Sequence, residues 1–87
     1  MPFPVHYSPE YDRVREKLSP GERMLVGLVE DEIAANPDPK LAGRFEDYGY
    51  YYETKPDDFL IEYRILDNGW VSFQRLIDLR DLSHQAV

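Results

Sequence analysis

The sequence predicts an α+β domain in which a helical hairpin covers one face of a small, largely antiparallel sheet, in the order β-α-α-β-β-β. Three observations predict it. Two Ser-Pro dipeptides, Ser8-Pro9 and Ser19-Pro20, each open a stretch with helical apolar spacing. A run of aromatic residues follows between Phe45 and Tyr52. From Asp57 to Arg80, two β-rich runs flank the turn signal Asp67-Asn68-Gly69.

Phe3 to Tyr7 form a short first strand. Pro4 has no N–H to donate, which places the strand at an edge or starts it late. Ser8 is the N-cap of the first helix, Pro9 its first residue and Glu10 an acid in its first turn. Tyr11, Val14 and Leu18 then make a thin apolar stripe over about ten residues. Ser19 and Glu22 have capping-box spacing, and Leu25, Leu28, Val29 and Ile33 predict the inward face of the second helix. That helix stops near Asn36, because Pro37 disfavours the α conformation in the residue before it.

After a loop from Asn36 to Ala42, Gly43 to Thr54 reads as one strand with a bulge at Gly49. Tyr48, Tyr50 and Tyr52 would share one face, and Phe45 and Tyr51 the other. Lys55-Pro56-Asp57-Asp58 turns into the final hairpin. There, a two-residue loop would set Ile65 against Ser72 and Tyr63 against Gln74, apolar against polar. A three-residue loop sets Ile65 against Val71 and Tyr63 against Phe73, and wants positive φ at Gly69. The three-residue loop is therefore expected, with Phe59, Ile61, Tyr63, Ile65, Val71, Phe73, Ile77 and Leu79 facing inward. Glu62, Arg64, Gln74, Asp78 and Arg80 face outward, and Arg75, on the apolar side, marks a bulge or bend. Asp81 to Val87 form a short polar tail.

Eighty-seven residues make a single domain, 1–87, with one modest core. No run is long enough to span a bilayer and no signal-peptide pattern opens the chain, so a cytoplasmic protein is expected. The absence of cysteine excludes disulfides, thiolate metal sites and a cysteine nucleophile. A formal charge of −7, from 17 acidic and 10 basic residues, argues against broad non-specific nucleic-acid binding, which draws its affinity from phosphate neutralisation. A local basic patch stays open. Arg64, Arg75 and Arg80 lie in the hairpin, either as such a patch or as ion-pair partners of Glu62 and Asp78.

His6 and His84 stand at opposite ends of the chain with no ligand spacing around them, so no metal or other cofactor is expected. Ser8 and Ser19 are explained as caps, and neither a Gly-x-Ser-x-Gly elbow nor a phosphate loop is present. Tyrosines of a sheet form half-buried surface, and they also stack on bases or move protons beside arginines. The polar hairpin face is where arginines would steady a phosphate or a developing negative charge.

An ordered set of short motifs runs through nearly the whole chain. A first strand leads into a Ser-Pro helix start, His6-Tyr7-Ser8-Pro9-Glu10, and a helical hairpin ends in Asn36-Pro37. Leu41-Ala42-Gly43 leads to Gly49-Tyr50-Tyr51, then Ile61-Glu62-Tyr63-Arg64-Ile65, and a closing strand ends in Arg80. This set resembles the RelE/ParE superfamily of bacterial and archaeal toxin–antitoxin modules. The RNA-cleaving RelE branch surrounds the scissile phosphate with basic residues of the middle strands, an arginine ending the last strand and a tyrosine or similar residue in the tail. By that resemblance Arg80 and Arg64 hold phosphate, and His84 or a tyrosine among Tyr50 to Tyr52, Tyr51 foremost, handles protons. Leu60, Tyr51 and Glu53 stand where that branch usually has basic residues.

The resemblance implies the toxin component of a type II module acting by ribosome-dependent mRNA cleavage. The alternative it leaves open is a ParE-like gyrase-binding toxin, or a relative without catalysis that acts through protein contacts. Either branch implies a cognate antitoxin, laid over the helices and sheet as an extended or helical segment. The ribosome with its mRNA, or DNA gyrase, would be the target.

Overall fold

The computed structural model describes residues 2–81. The elements are β1 (Val5–Tyr7), α1 (Pro9–Glu16), α2 (Pro20–Ala35), β2 (Arg44–Asp47), β3 (Tyr50–Glu53), β4 (Phe59–Ile65) and β5 (Val71–Asp78). They form the expected α+β layout around a five-stranded sheet in the order β1-β5-β4-β3-β2. All neighbours are antiparallel except β1 and β5. β1 lies at the edge, as Pro4 requires, and the Pro4 carbonyl accepts the Val71 N–H at 2.9 Å.

Both Ser-Pro starts behave as caps. The Ser8 hydroxyl oxygen accepts the Tyr11 N–H at 3.1 Å and donates to the Gln74 carbonyl at 2.6 Å, which ties the start of α1 to β5. Ser19 and Glu22 exchange both capping-box hydrogen bonds. α2 ends at Ala35, just before Asn36-Pro37.

The inward face of α2 differs from the one its leucines suggested. Val26, Val29, Ile33 and Ala34 are buried, whereas Leu25 and Leu28 are 47% and 59% exposed beside the exposed Met24. Glu30 sets this rotation. Its carboxylate is buried against α1 and accepts from the Tyr11 hydroxyl at 2.7 Å, the Tyr7 hydroxyl at 3.5 Å, and two Arg15 nitrogens at 3.1 Å. A charge with that many partners can lie inside, and it draws its own helix face inward with it. Burial and the neighbouring Glu30 push the Tyr11 hydroxyl pKa well up, so it stays a donor.

The aromatic run is two strands. Tyr48 (φ 51°) and Gly49 (φ 82°) both adopt left-handed conformations in a two-residue turn, pairing Asp47 with Tyr50 and Phe45 with Tyr52. Positive φ at both central positions suits the twist of a tight hairpin. The usual signal there is Asn-Gly or Asp-Gly, and a fully solvated tyrosine in its place hid the turn. Passing through it reverses the expected parity. Phe45 shares a face with Tyr52, their rings stacked at 4.8 Å, while Tyr51 faces the other way.

In the last hairpin the three-residue loop holds: Ile65 pairs with Val71 and Tyr63 with Phe73, and Gly69 has φ 87°. Space around Gly69 is open, so a side chain there meets only the conformational penalty. Gly69→Val should lower stability by about 1–3 kcal/mol, and Gly69→Asn by less. Thermal unfolding checks this, and an unchanged Tm for the valine variant would contradict the turn.

The bulge falls at Gln74, one residue before Arg75: Tyr63 pairs with Phe73, then Glu62 with Arg75. Beyond it the faces of β5 reverse from those expected. Leu76 replaces Ile77 in the core, Arg75 returns to the outer face, and Asp78 pairs with Phe59 on the helix-covered side. The core gathers Tyr11, Val26, Val29, Ile33, Phe59, Ile61, Tyr63, Val71, Phe73 and Leu76.

A buried ion pair closes the loop between α2 and β2. Arg44 Nε donates to Glu53 Oε1 at 2.7 Å, with 3% and 1% of the two side chains exposed. Arg44 Nη1 also donates to the carbonyls of Asn36 and Asp38, and Glu53 Oε2 accepts the N–H groups of Thr54 and Lys55. The Tyr63 hydroxyl donates to the Pro37 carbonyl at 2.9 Å.

Candidate functional site

The outer face of the sheet, opposite the helices, carries the polar side chains of β3, β4 and β5. At its centre Glu62, 4% exposed, accepts from the Tyr52 hydroxyl at 2.8 Å and from two Arg75 nitrogens at 3.1 and 2.8 Å. Burial alone would push the Glu62 pKa up; the hydrogen bonds from Arg75 and Tyr52 outweigh it and hold the carboxyl below its ordinary range. Burial and the Glu62 carboxylate push the Tyr52 hydroxyl up, so at neutral pH it is a donor and not a base. The group is thus ionised and internally neutral. Beside it, Gln74 Nε2 donates to Ser72 Oγ at 2.6 Å, and Ser72 Oγ lies 3.3 Å from His6 Nδ1.

The Gln74 bulge and the start of α1 raise one wall over this face, and the β2–β3 turn raises the other. Between them lies an open cavity of about 670 Å³. Glu10 and Arg13 line it from α1, Asp47 and Tyr48 from the turn, and Tyr50, Tyr52, Glu62 and Arg75 from the sheet. None of Glu10, Arg13 and Asp47 makes an ion pair among the described residues.

Of the residues singled out from sequence, Arg64 is exposed on the outer face, its guanidinium 5.3 Å from the centre of the Tyr50 ring. Tyr51 is on the opposite, helix-covered face, edge-on to Tyr63 at 5.6 Å. Arg80 is at the far end of the hairpin. It pairs with Asp78 at 3.0 Å and with Glu22 of α2 at 2.8 Å, and its guanidinium lies over the Phe59 ring. From Phe59 to Arg64 the strand runs about 17 Å at ~3.4 Å per residue. His84 lies outside the described residues. Arg64 is therefore brought to a tyrosine, Tyr50, and is not brought to Arg80 or Tyr51. Among the described residues, no group of three or more His, Asp or Glu side chains is arranged to hold a metal ion.

The ion-pair reading of the hairpin arginines holds for Arg75 with Glu62 and for Arg80 with Asp78, but strict alternation put Arg75 on the apolar side and hid its meeting with Tyr52 on the outer face. The usable signal was Arg75 itself, a charge out of phase in an apolar stripe, which places a bulge immediately before it. Glu10, Arg13 and Asp47 meet only through tertiary structure, and no local pattern announces them.

The fold has close counterparts among solved structures. The archaeal RelE–RelB complex of Pyrococcus horikoshii matches with a TM-score of 0.73 at 14% identity, over 91% of this chain and 97% of that one. The fold is that of the RelE toxins. The isolated E. coli RelE toxin shares the RelE fold over 98% of this chain and 99% of its own, with TM-score 0.68 and 9% identity. The RelBE2 toxin–antitoxin complex of Mycobacterium tuberculosis has it over 90% and 99%, with TM-score 0.65 and 22% identity. No protein-family model and no curated protein sequence matches the chain. The RelE fold accounts for the motif order in the sequence: the Ser-Pro starts are its helix caps, Asn36-Pro37 ends its second helix, and Tyr63-Arg64 lies on a central strand. Among the described residues, no helix is long and apolar enough to cross a membrane.

Proposed function

We propose that this chain is the toxin-type component of a toxin–antitoxin pair, held silent by a cognate antitoxin and acting by ribosome-dependent cleavage of mRNA. One observation carries the reading: the likeness to RelE toxins runs over nearly the full length of both chains, including structures of toxin–antitoxin complexes. The outward Met24, Leu25 and Leu28 of α2 supply an apolar row for partner binding.

In this reading Arg64 is the phosphate-holding residue. It is exposed and without an ion pair among the described residues, and a guanidinium there would stabilise the charge that builds on phosphorus. Tyr50, whose ring carries that guanidinium, would orient it, while the Tyr52 hydroxyl stays committed to Glu62. Arg80, already shared between Asp78 and Glu22, would hold the hairpin end against α2.

A second reading is a non-enzymatic member of the same fold that acts through protein contacts. It is favoured by the neutralisation of Arg75 by Glu62 and of Arg80 by Asp78 and Glu22.

Tightly controlled expression, followed by growth and by incorporation of labelled amino acids and thymidine, tests both. The leading reading expects protein synthesis to fall first. Arg64→Ala should then weaken the effect about tenfold or more, and Arg80→Ala much less. A fall in thymidine incorporation, or toxicity untouched by Arg64→Ala, would replace it with the second. Co-expression with the neighbouring open reading frame should restore growth and yield a co-purifying complex. A chain that neither slows growth nor retains a partner would end both readings.

A further inference from the structure

The geometry points to the outer-face cavity as the seat of an arginine or lysine side chain carried by an extended segment of a protein partner, in preference to a nucleic-acid phosphate. The identity of that partner as the antitoxin rests on the reading above; the preference for a cation does not.

Charge carries the inference first. Arg75 and Glu62 neutralise each other, leaving Glu10 and Asp47 against Arg13 in the lining, while Arg64 stands outside it on the Tyr50 ring. Two carboxylates to one guanidinium in the lining, in a chain of net charge −7, favour a cation over a phosphate there. The rings carry it next. Tyr48 and Tyr50 line the same cavity, and the face of a tyrosine is the negative pole of its quadrupole. The chain already uses this contact, since Arg64 lies 5.3 Å from the Tyr50 centroid. Tyr48, at the turn, is 94% exposed and has no ring contact of its own among the described residues, which leaves it open to a second cation. Size is the third point: about 670 Å³ admits a long side chain with the backbone on either side of it. Arginine suits the site better than lysine, because its planar fork can bind a carboxylate and lie on a ring at once.

Fluorescence anisotropy on the full chain tests this, using a labelled short peptide of alternating arginine and serine and a labelled short single-stranded RNA. The peptide is expected to bind more tightly than the RNA and to weaken with added salt. The Glu10→Gln/Asp47→Asn variant should lose about tenfold in peptide affinity. The Asp31→Asn/Asp57→Asn variant removes equal charge from exposed positions outside the cavity and should lose less than about twofold. Circular dichroism should find all three proteins equally folded, as the substituted side chains are exposed. Tighter binding of RNA, equal losses in the two variants, or no peptide binding would each overturn the inference. A silent peptide with an antitoxin that still co-purifies rejects the cavity's role alone. A bound peptide without any partner or toxicity rejects the toxin–antitoxin reading and leaves the cavity's preference standing.

Discussion

Arg44→Ala should lower the stability of this domain by about 3–5 kcal/mol. The guanidinium is enclosed between the α2–β2 loop and the edge of the sheet, with 3% of its side chain exposed. Removing it leaves the Glu53 carboxylate, 1% exposed, inside the fold without its cation. The amide donors of Thr54 and Lys55 remain, and two backbone N–H groups do not offset the desolvation of a full charge. The loop carbonyls of Asn36 and Asp38 lose their donor as well. For a domain of this size the loss is a large share of the total stability. The penalty comes from stranding a charge and is not a measure of what the pair adds. Arg44→Met combined with Glu53→Leu should therefore recover most of the loss, with the amides of exposed Thr54 and Lys55 turning to water. Urea unfolding of the wild type and both variants checks this. A loss under about 1 kcal/mol for Arg44→Ala would mean the pair is solvated in solution.

Ile61→Asp should cost about 4 kcal/mol or more and leave little folded protein at neutral pH. Ile61 is fully buried at the centre of β4, paired with Leu76 on one side and with Glu53 on the other. An aspartate there loses its water and also meets the Glu53 carboxylate across the ladder. Both effects raise its pKa above that of the unfolded chain. The sign follows: a carboxyl with a raised folded pKa is protonated in the folded state, so the deficit relative to wild type shrinks as pH falls below the folded pKa and grows as pH rises through it. Ile61→Val, which only removes a methylene, should cost about 0.5–1.5 kcal/mol at any pH. Denaturant unfolding at acidic and neutral pH separates the two. A mild, pH-independent loss for the aspartate variant would place residue 61 on the solvated face.

Local chemistry was enough for much of this fold. Ser8-Pro9, Ser19-Pro20 with Glu22, and Asn36-Pro37 mark helix ends through contacts made within a few residues, so they can be read without the rest of the chain. The Asp67-Asn68-Gly69 loop and its register were legible for a related reason: shifting the pairing by one residue would set every apolar side chain against a polar one. What only the tertiary structure decided begins where a local rule was broken for a distant partner. Glu30 is buried because Tyr7, Tyr11 and Arg15 converge on it from β1 and α1, and that convergence turns the leucines of α2 outward. Tyr48 turns the chain with positive φ, a conformation that no propensity assigns to it. The bulge at Gln74 then carries Arg75 to Glu62 on the outer face and leaves Arg80 with Asp78 and Glu22. Pairing of charges across strands depends on register and bulges, and those are settled by the packing of the whole sheet. For that reason the sequence by itself determined the RelE-type architecture, and only the folded chain determined which of its arginines are free to meet another molecule.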